Sequence, residues 1–303
     1  MKFGLHLPQL GRAASPERVG AAAATAEDLG FADVWASDHV AVPTSIEGMP
    51  SFFPEPVPLL ALAAAHTRRV GLGTSVIVPA YRNPMHFAKQ WATLDWLAPG
   101  RTILGVGAGW LTEEFAAVGV PMQGRGERLD DYIRGWRALW AGATEFKSRY
   151  FSFEAVRVKP RPSEAIPVWI GGSSAGALRR AAWCDGWHGT WAPLDEFKRR
   201  VVMLLAEMEK IERHRAEVTV SIHMEVTIGD GLDYSGWSSV GDGYGDRRPV
   251  TGRPEDVAEL LAGYAEAGLD HVLVTPVVRG ARAWDEMVLG IAALKDLVGR
   301  GAH

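Results

Sequence analysis

The residues best suited to moving a proton sit in WASDHV, positions 35–40. His39 carries an imidazole that titrates near neutrality, and Asp38 beside it can orient or tune that ring for general acid–base work. A histidine at a strand end is more commonly a structural hydrogen bonder, yet strand ends are also where barrel enzymes collect their catalytic groups. His6, closing the apolar run KFGLHL, is a second candidate for lining the same mouth. Trp110, Trp169 and Trp191 fall near later strand ends and could wall a substrate pocket, although core packing is the plainer role for Trp169.

Two glycine-rich stretches could seat a cofactor. The first, ILGVGAGW at 103–110, hints at the G-x-G-x-x-G turn of a dinucleotide site. That turn needs a third glycine where Trp110 stands, and an acid closing the next strand. Asp130 and Asp131 have a suitable separation, but they lie inside a helical stripe of Leu129, Ile133, Trp136, Leu139 and Trp140. An acid on a helix cannot cap a strand, so the NAD reading fails. In a barrel, Gly105, Gly107 and Gly109 would bare one face of a strand end, either to let a flat ring approach the backbone or only to relieve crowding.

The second stretch, IGGSSAGALRR at 170–180, ends a strand with Gly171 and Gly172 and opens a helix with Ser173 and Ser174. Free N–H groups and hydroxyls converge there on the positive end of a helix dipole, which suits a phosphate. An ordinary serine N-cap is the alternative. Thr251 and Arg253 in VTGRPEDV form a further anion candidate. His6, His39, His188, His223 and His271 all fall on expected strands, which raises a metal-dependent hydrolase. No H-x-H or H-E-x-x-H pairing occurs, so no metal is expected.

These groups must be positioned by the elements around them, and strand-like and helix-like runs alternate from end to end. KFGLHL is followed by a helix with Ser15 as N-cap, Pro16 at its first position and Gly30 past its end. Strands then recur at FADVWASDH, RVGLGTSVIVP, RTILGVGAG, PVWIGG, GWHGTW, EVTVSIHMEVTIG and DHVLVTPV, each with a helical run behind it. That is the α/β pattern of a closed (β/α)8 TIM barrel, expected as one domain over 1–303. Insertions follow strands two, four and seven: an irregular Pro-rich segment, a hairpin-like TEFKSRYFSFEAVRVKP, and a Gly-rich segment whose Tyr234, Trp237 and Tyr244 suggest a lid.

A net charge of -4 offers no basic patch for nucleic acid and no polybasic segment for a membrane. One cysteine, Cys184, excludes an internal disulfide and fits a reducing compartment. MKFGLHLPQL is too short an apolar run for a signal peptide, and no stretch of about 18 apolar residues occurs, so the expectation is cytoplasmic.

In this frame the chain resembles the luciferase-like monooxygenase superfamily, and within it the oxidoreductases that use the deazaflavin coenzyme F420. The likeness rests on WASDHV, on LGTSVIVPAYRNPMHFAKQWATLDWLAPGR, on GVGAGW with its trailing EE, on IGGSS with ALRRAA and DGW, and on GRPEDVAELL with AGLDHV. It implies a flavin-type ring over the C-terminal strand ends, with Asp38 and His39 facing it and the substrate. It further implies a non-proline cis peptide at Ser75-Val76 forming a bulge behind the ring, and a cofactor phosphate held at Gly171 to Ser174. A homodimer is also implied.

The chain departs from its relatives in three places, one being the reactive cysteine of true luciferases, which is absent because strand four reads Val106-Gly107-Ala108. VAVP stands where relatives with sugar-phosphate or alcohol chemistry have a tryptophan, and Trp110 stands where some have a glutamate acid. Glu113 or Glu114 could substitute, with a helix-surface place suiting at least one. The expected activity is hydride transfer between F420 and a small organic substrate, fairly large and apolar to judge from the aromatic loops. FMN-dependent monooxygenation on the same barrel and a non-catalytic flavin-binding protein are the alternatives.

Overall fold

Capped helices behind short buried strands set the architecture, described by a computed structural model over residues 1–10, 14–46, 49–229, 249–277 and 281–300. Tyr234, Trp237 and Tyr244 of the expected lid lie outside the described residues. The first half runs β1 (Lys2–His6), α1 (Pro16–Asp28), β2 (Asp33–Ala36), α2 (Pro56–His66), β3 (Gly71–Thr74), α3 (Pro84–Leu97), β4 (Thr102–Val106), α4 (Thr112–Ala117) and α5 (Arg125–Ala141). A two-stranded antiparallel hairpin, β5 (Phe146–Lys147) and β6 (Ser152–Phe153), follows, as the alternation in TEFKSRYFSF suggests. The second half runs β7 (Val168–Gly171), α6 (Ala175–Trp183), β8 (Gly186–Thr190), α7 (Leu194–Glu209), β9 (Thr219–Ile228), β10 (Val250–Gly252), α8 (Pro254–Glu266), β11 (His271–Pro276) and α9 (Ala281–Arg300).

The large sheet has the order β10-β9-β11-β1-β2-β3-β4-β7-β8, and β8 also pairs with β9, which closes the ring. Every pairing in it is parallel. Eight strands therefore form a (β/α)8 barrel, with β10 hydrogen-bonded to β9 outside it. Local chemistry starts the helices where the sequence suggests. Ser15 Oγ accepts from Arg18 N at the head of α1, with Pro16 next and Gly30 at φ 73° past the end. Asn83 Oδ1 accepts from the Met85 and His86 amides to open α3.

Side chains fill the barrel interior in two unlike layers. Toward the N-terminal ends of the strands, Trp35, Trp169 and Leu273 pack together. Their indoles fit because glycines face them: a Cβ on Gly73 would lie 2.5 Å from the Trp35 ring, and one on Gly186 2.5 Å from Trp169. Trp169 is thus core. Toward the C-terminal ends the interior turns polar, with His6, His188, His223 and Ser221, and that layer opens into a cavity.

Candidate functional site

The cavity has a volume of about 630 Å³ and sits over the C-terminal ends of the barrel strands. That is within the usual range for a small-molecule or cofactor site. Its floor is the segment after β3, where Ser75 and Val76 are joined by a cis peptide. Ser75 N donates to Ala36 O, Ile77 N donates to Gly105 O at 2.9 Å, and Gly107 N donates back to Ile77 O at 2.8 Å. Thr74 Oγ1 adds a bond to Gly105 O. The strand-four glycines explain themselves here. A Cβ on Gly105 would lie 1.8 Å from Thr74 O, and Cβ atoms on Gly107 and Gly171 would each lie 2.8 Å from Val76 Cγ2. The bare face of ILGVGAGW is therefore filled by the Thr74 backbone at Gly105, by the Val76 side chain at Gly107, and by Phe115 and Val78 at Gly109, and it is Val76 that lines the cavity between Gly107 and Gly171. This corrects the picture of a ring lying directly on Gly105, because that space is already taken.

One wall carries the proton-handling group. His39 Nδ1 lies 3.2 Å from Glu114 Oε2, and the other Glu114 oxygen accepts from Val40 N and Ala41 N at 2.6 and 3.1 Å. Glu114 is 1% exposed, whereas Glu113 beside it on α4 is exposed. Burial works to raise the Glu114 carboxyl, but the bonds from His39 and the two amides outweigh it and hold the group below its ordinary value. A carboxylate only accepts, so His39 carries its proton on Nδ1 when neutral and leaves Nε2 as an acceptor. Phe53 meets the imidazole edge-on at 4.9 Å.

Asp38 does something else. Its two oxygens take Arg82 nitrogens at 2.6 and 2.8 Å and the Val78 amide at 2.9 Å. Arg82 also bonds Glu55, the N-cap of α2. Burial acts against the Arg82 cation, but Asp38 and Glu55 outweigh it and push its pKa further up. Asp38 thus ties the His39 loop to the segment that follows the bulge, instead of orienting the His39 ring.

At the far end the cavity meets the start of α6. Gly172, at φ 103°, and Ser174 line it, with Ser174 Oγ accepting from Ala177 N as a plain N-cap. Arg125, Arg179 and Arg180 line the same end. Arg125 donates to Gly109 O, and Arg180 is held by Asp130 on α5. The opposite wall is polar: His6, His223 and His188 stack successively, and Thr190, Glu225 and Thr275 stand beside them.

The structure brings His6, Asp38, His39, Ser75, Val76, Gly107, Gly109, Trp110, Gly171, Gly172 and Ser174 to this one cavity. Ser173 is not part of its lining, because the next residue supplies the cap. Trp191 also lies off it, 7% exposed in the main core, since its amide continues the β8 pairing by donating to His223 O. Arg253 pairs with Asp256 on the surface and is not part of the cavity lining. Among the described residues no group of three or more His, Cys, Asp and Glu could hold a metal ion. Arg82, Arg125 and Arg180 escaped sequence reasoning. Arg82 and Arg180 lie within quoted stretches, YRNP and GALRR, whereas nothing local marks Arg125.

Two of the buried histidines, His6 and His188, are expected to make the fold acid-sensitive. Burial pushes His6 down to about 4 and His188 down to about 3, from an ordinary 6.5. The unfolded chain protonates both as the pH drops past 6.5 while the folded chain does not, so stability falls with falling pH. Between about pH 6 and pH 4 the two together should remove up to about 2.7 kcal/mol per pH unit. Urea unfolding across that window measures it; a flat profile would show that the imidazoles are not held neutral.

Comparison with known proteins agrees with this fold. Residues 1–234 match the family described as luciferase-like monooxygenase. An F420-dependent glucose-6-phosphate dehydrogenase of Kineococcus radiotolerans is 29% identical over 296 residues, covering 86% of this chain and 87% of that protein. An F420-dependent secondary alcohol dehydrogenase, solved with an F420-acetone adduct, superposes with a TM-score of 0.81 at 18% identity, over 97% of this chain and 98% of its own. The monooxygenase RslO1 of Streptomyces bottropensis superposes with a TM-score of 0.80 at 20% identity, over the whole of both chains.

Proposed function

The chain belongs to the luciferase-like monooxygenase family, and from that premise we propose that it is an oxidoreductase passing a hydride between coenzyme F420 and a small organic alcohol or carbonyl compound. The observation that carries this is the His39–Glu114 pair opening onto the same cavity as an arginine-lined helix start. The F420 dependence of the Kineococcus relative supports it.

The residues present fit such a cofactor. Val76, flanked by side-chain-free Gly107 and Gly171, offers a small apolar surface for a flat ring. Gly172, Ser174, Arg125 and Arg179 offer amide, hydroxyl and guanidinium donors to an anionic tail. When bound, F420 supplies a ring carbon that accepts or returns a hydride.

The remaining work falls to the chain. His39 Nε2 takes the hydroxyl proton of an alcohol while the carbinol hydrogen leaves with its electron pair; a carbonyl product results. Glu114 stabilises the imidazolium that forms, and the Asp38–Arg82 pair keeps the His39 loop in place. The stacked histidines and threonines of the opposite wall favour a substrate with polar groups over the purely apolar one suggested by the loops.

No helix among the described residues is long and apolar enough to cross a membrane. A cytoplasmic place accords with the single, buried cysteine. Assembly as a homodimer is proposed on the resemblance alone.

Titration of the apo-protein with F420 and with FMN, side by side, tests the reading. F420 should bind much the more tightly; the reverse order would favour flavin monooxygenation, and no binding of either would end both. In the same assay Gly172→Val should weaken F420 by about tenfold or more, roughly 1.4 kcal/mol, because a side chain at φ 103° is strained and crowds the tail site. Unchanged affinity would remove the tail from the start of α6.

A further inference from the structure

Below the cavity a single file of hydrogen bonds descends into the barrel. Ser75 Oγ, on the cavity floor, lies 2.9 Å from His188 Nε2. His188 Nδ1 lies 2.8 Å from Ser221 Oγ, which lies 2.8 Å from His271 Nδ1. His271 Nε2 ends the file 2.9 Å from Asp33 Oδ1. All but Ser75 are buried, and the hydride chemistry proposed above uses none of them.

We infer that these five residues form a one-proton relay, which takes up a proton from a protic group in the cavity through Ser75 and stores it on His271. The donor inventory leaves no other freedom. Ser221 has one hydroxyl proton and two imidazole nitrogens to serve, and a carboxylate only accepts. With His271 neutral, its proton faces Asp33, so Nδ1 must accept from Ser221. His188 must then donate from Nδ1 to Ser221, and its Nε2 must accept from Ser75. In that state Ser75 shows the cavity only lone pairs.

Proton uptake reverses every link. Ser75 Oγ gains a proton from the cavity and gives its own to His188 Nε2. His188 passes its Nδ1 proton to Ser221, and Ser221 passes its own to His271 Nδ1. His271 is then an imidazolium against Asp33, His188 is protonated on Nε2, and Ser75 has become a donor toward the cavity. One proton has entered and no heavy atom has moved.

The surroundings suit this division of labour. The groups facing His271 are Asp33, Ser221, His188 and the rings of Trp35 and Trp169, and the Lys2 charge also acts on Asp33. Burial would raise Asp33, but His271, Trp35 and Lys2 outweigh it and hold the carboxyl down, so the end of the file stays an acceptor. His188, stacked 5.1 Å from Trp35, is disfavoured as a cation and serves as a conduit, not a store.

Histidine-selective 15N labelling of the apo-protein reads both rings in one spectrum. A neutral His271 should coincide with a proton on His188 Nδ1, and a doubly protonated His271 with a proton on His188 Nε2. Either of the other two pairings overturns the relay, at whatever pH it is recorded. Ser221→Ala cuts the file, so the His188 tautomer should no longer follow the charge on His271; tracking as before would equally overturn it. The wild-type spectrum decides alone should that variant not fold. The measurement needs no cofactor, so its outcome is separate from that of the F420 titration.

Discussion

Replacing His39 with alanine is expected to lower turnover by about two to four orders of magnitude, while the affinity for cofactor stays close to that of the unaltered protein. The split follows from how the loop is held. Glu114 accepts from the Val40 and Ala41 amides as well as from His39. Asp38 bonds Arg82 and the Val78 amide whatever stands at position 39. Losing the imidazole therefore removes the proton acceptor and leaves the loop, the bulge and the α6 end where they were. Steady-state kinetics alongside a binding titration separate the two effects. An equal loss of turnover and affinity would make His39 a structural residue.

The place of His39 in the cavity was readable from the sequence, whereas its partner there was not. The adjacent Asp38 is the natural candidate on paper, but successive residues leaving a strand diverge, and Asp38 turns to Arg82 while His39 turns to Glu114. Glu113 and Glu114 are indistinguishable by type. What separates them is the direction in which α4 leaves the glycine turn, which exposes one and buries the other. A contact between positions 75 residues apart in the chain leaves no local trace.

The barrel itself was plain in the alternation of strand-like and helix-like runs, because each local signal (the Ser15 cap, Pro16, Gly30) agrees with the whole. The five histidines were visible too, but apart from His39, marked for proton handling, and His6, marked for the mouth of the site, they stood out only as metal candidates. In the fold they are satisfied by hydroxyls, a carbonyl and carboxylates: His6 by Ser37 and Leu7 O, His223 by Thr275, and His188 and His271 by the relay. Serine and threonine are too common for such partners to be picked out by spacing. Trp191 failed for a related reason. Its place at a strand end was right, but β8 and β9 keep pairing beyond Thr190 and carry the ring into the core.

Gly105→Ala should do the most damage for one added methyl group. The new carbon would sit 1.8 Å from the Thr74 carbonyl oxygen, which is backbone and cannot rotate away. Relief requires β4 and the end of β3 to part. That breaks the Thr74 Oγ1 and Ile77 N bonds to Gly105 O and carries Val76 away from Gly107 and Gly171. Overpacking of this kind costs about 1–3 kcal/mol in a core that can yield, and more where only backbone can move. The unfolding midpoint should therefore fall well below that of the unaltered protein, and any folded fraction should bind cofactor poorly, because the displaced segment is the cavity floor. Gly229→Ala is the matched control, since its carbon would meet Thr251 Cγ2 at an ordinary 3.5 Å. Should Gly105→Ala unfold and bind like the control, the glycine spacing of ILGVGAGW would have nothing to do with seating the bulge. A side-chain-free face would then have to serve the ligand directly.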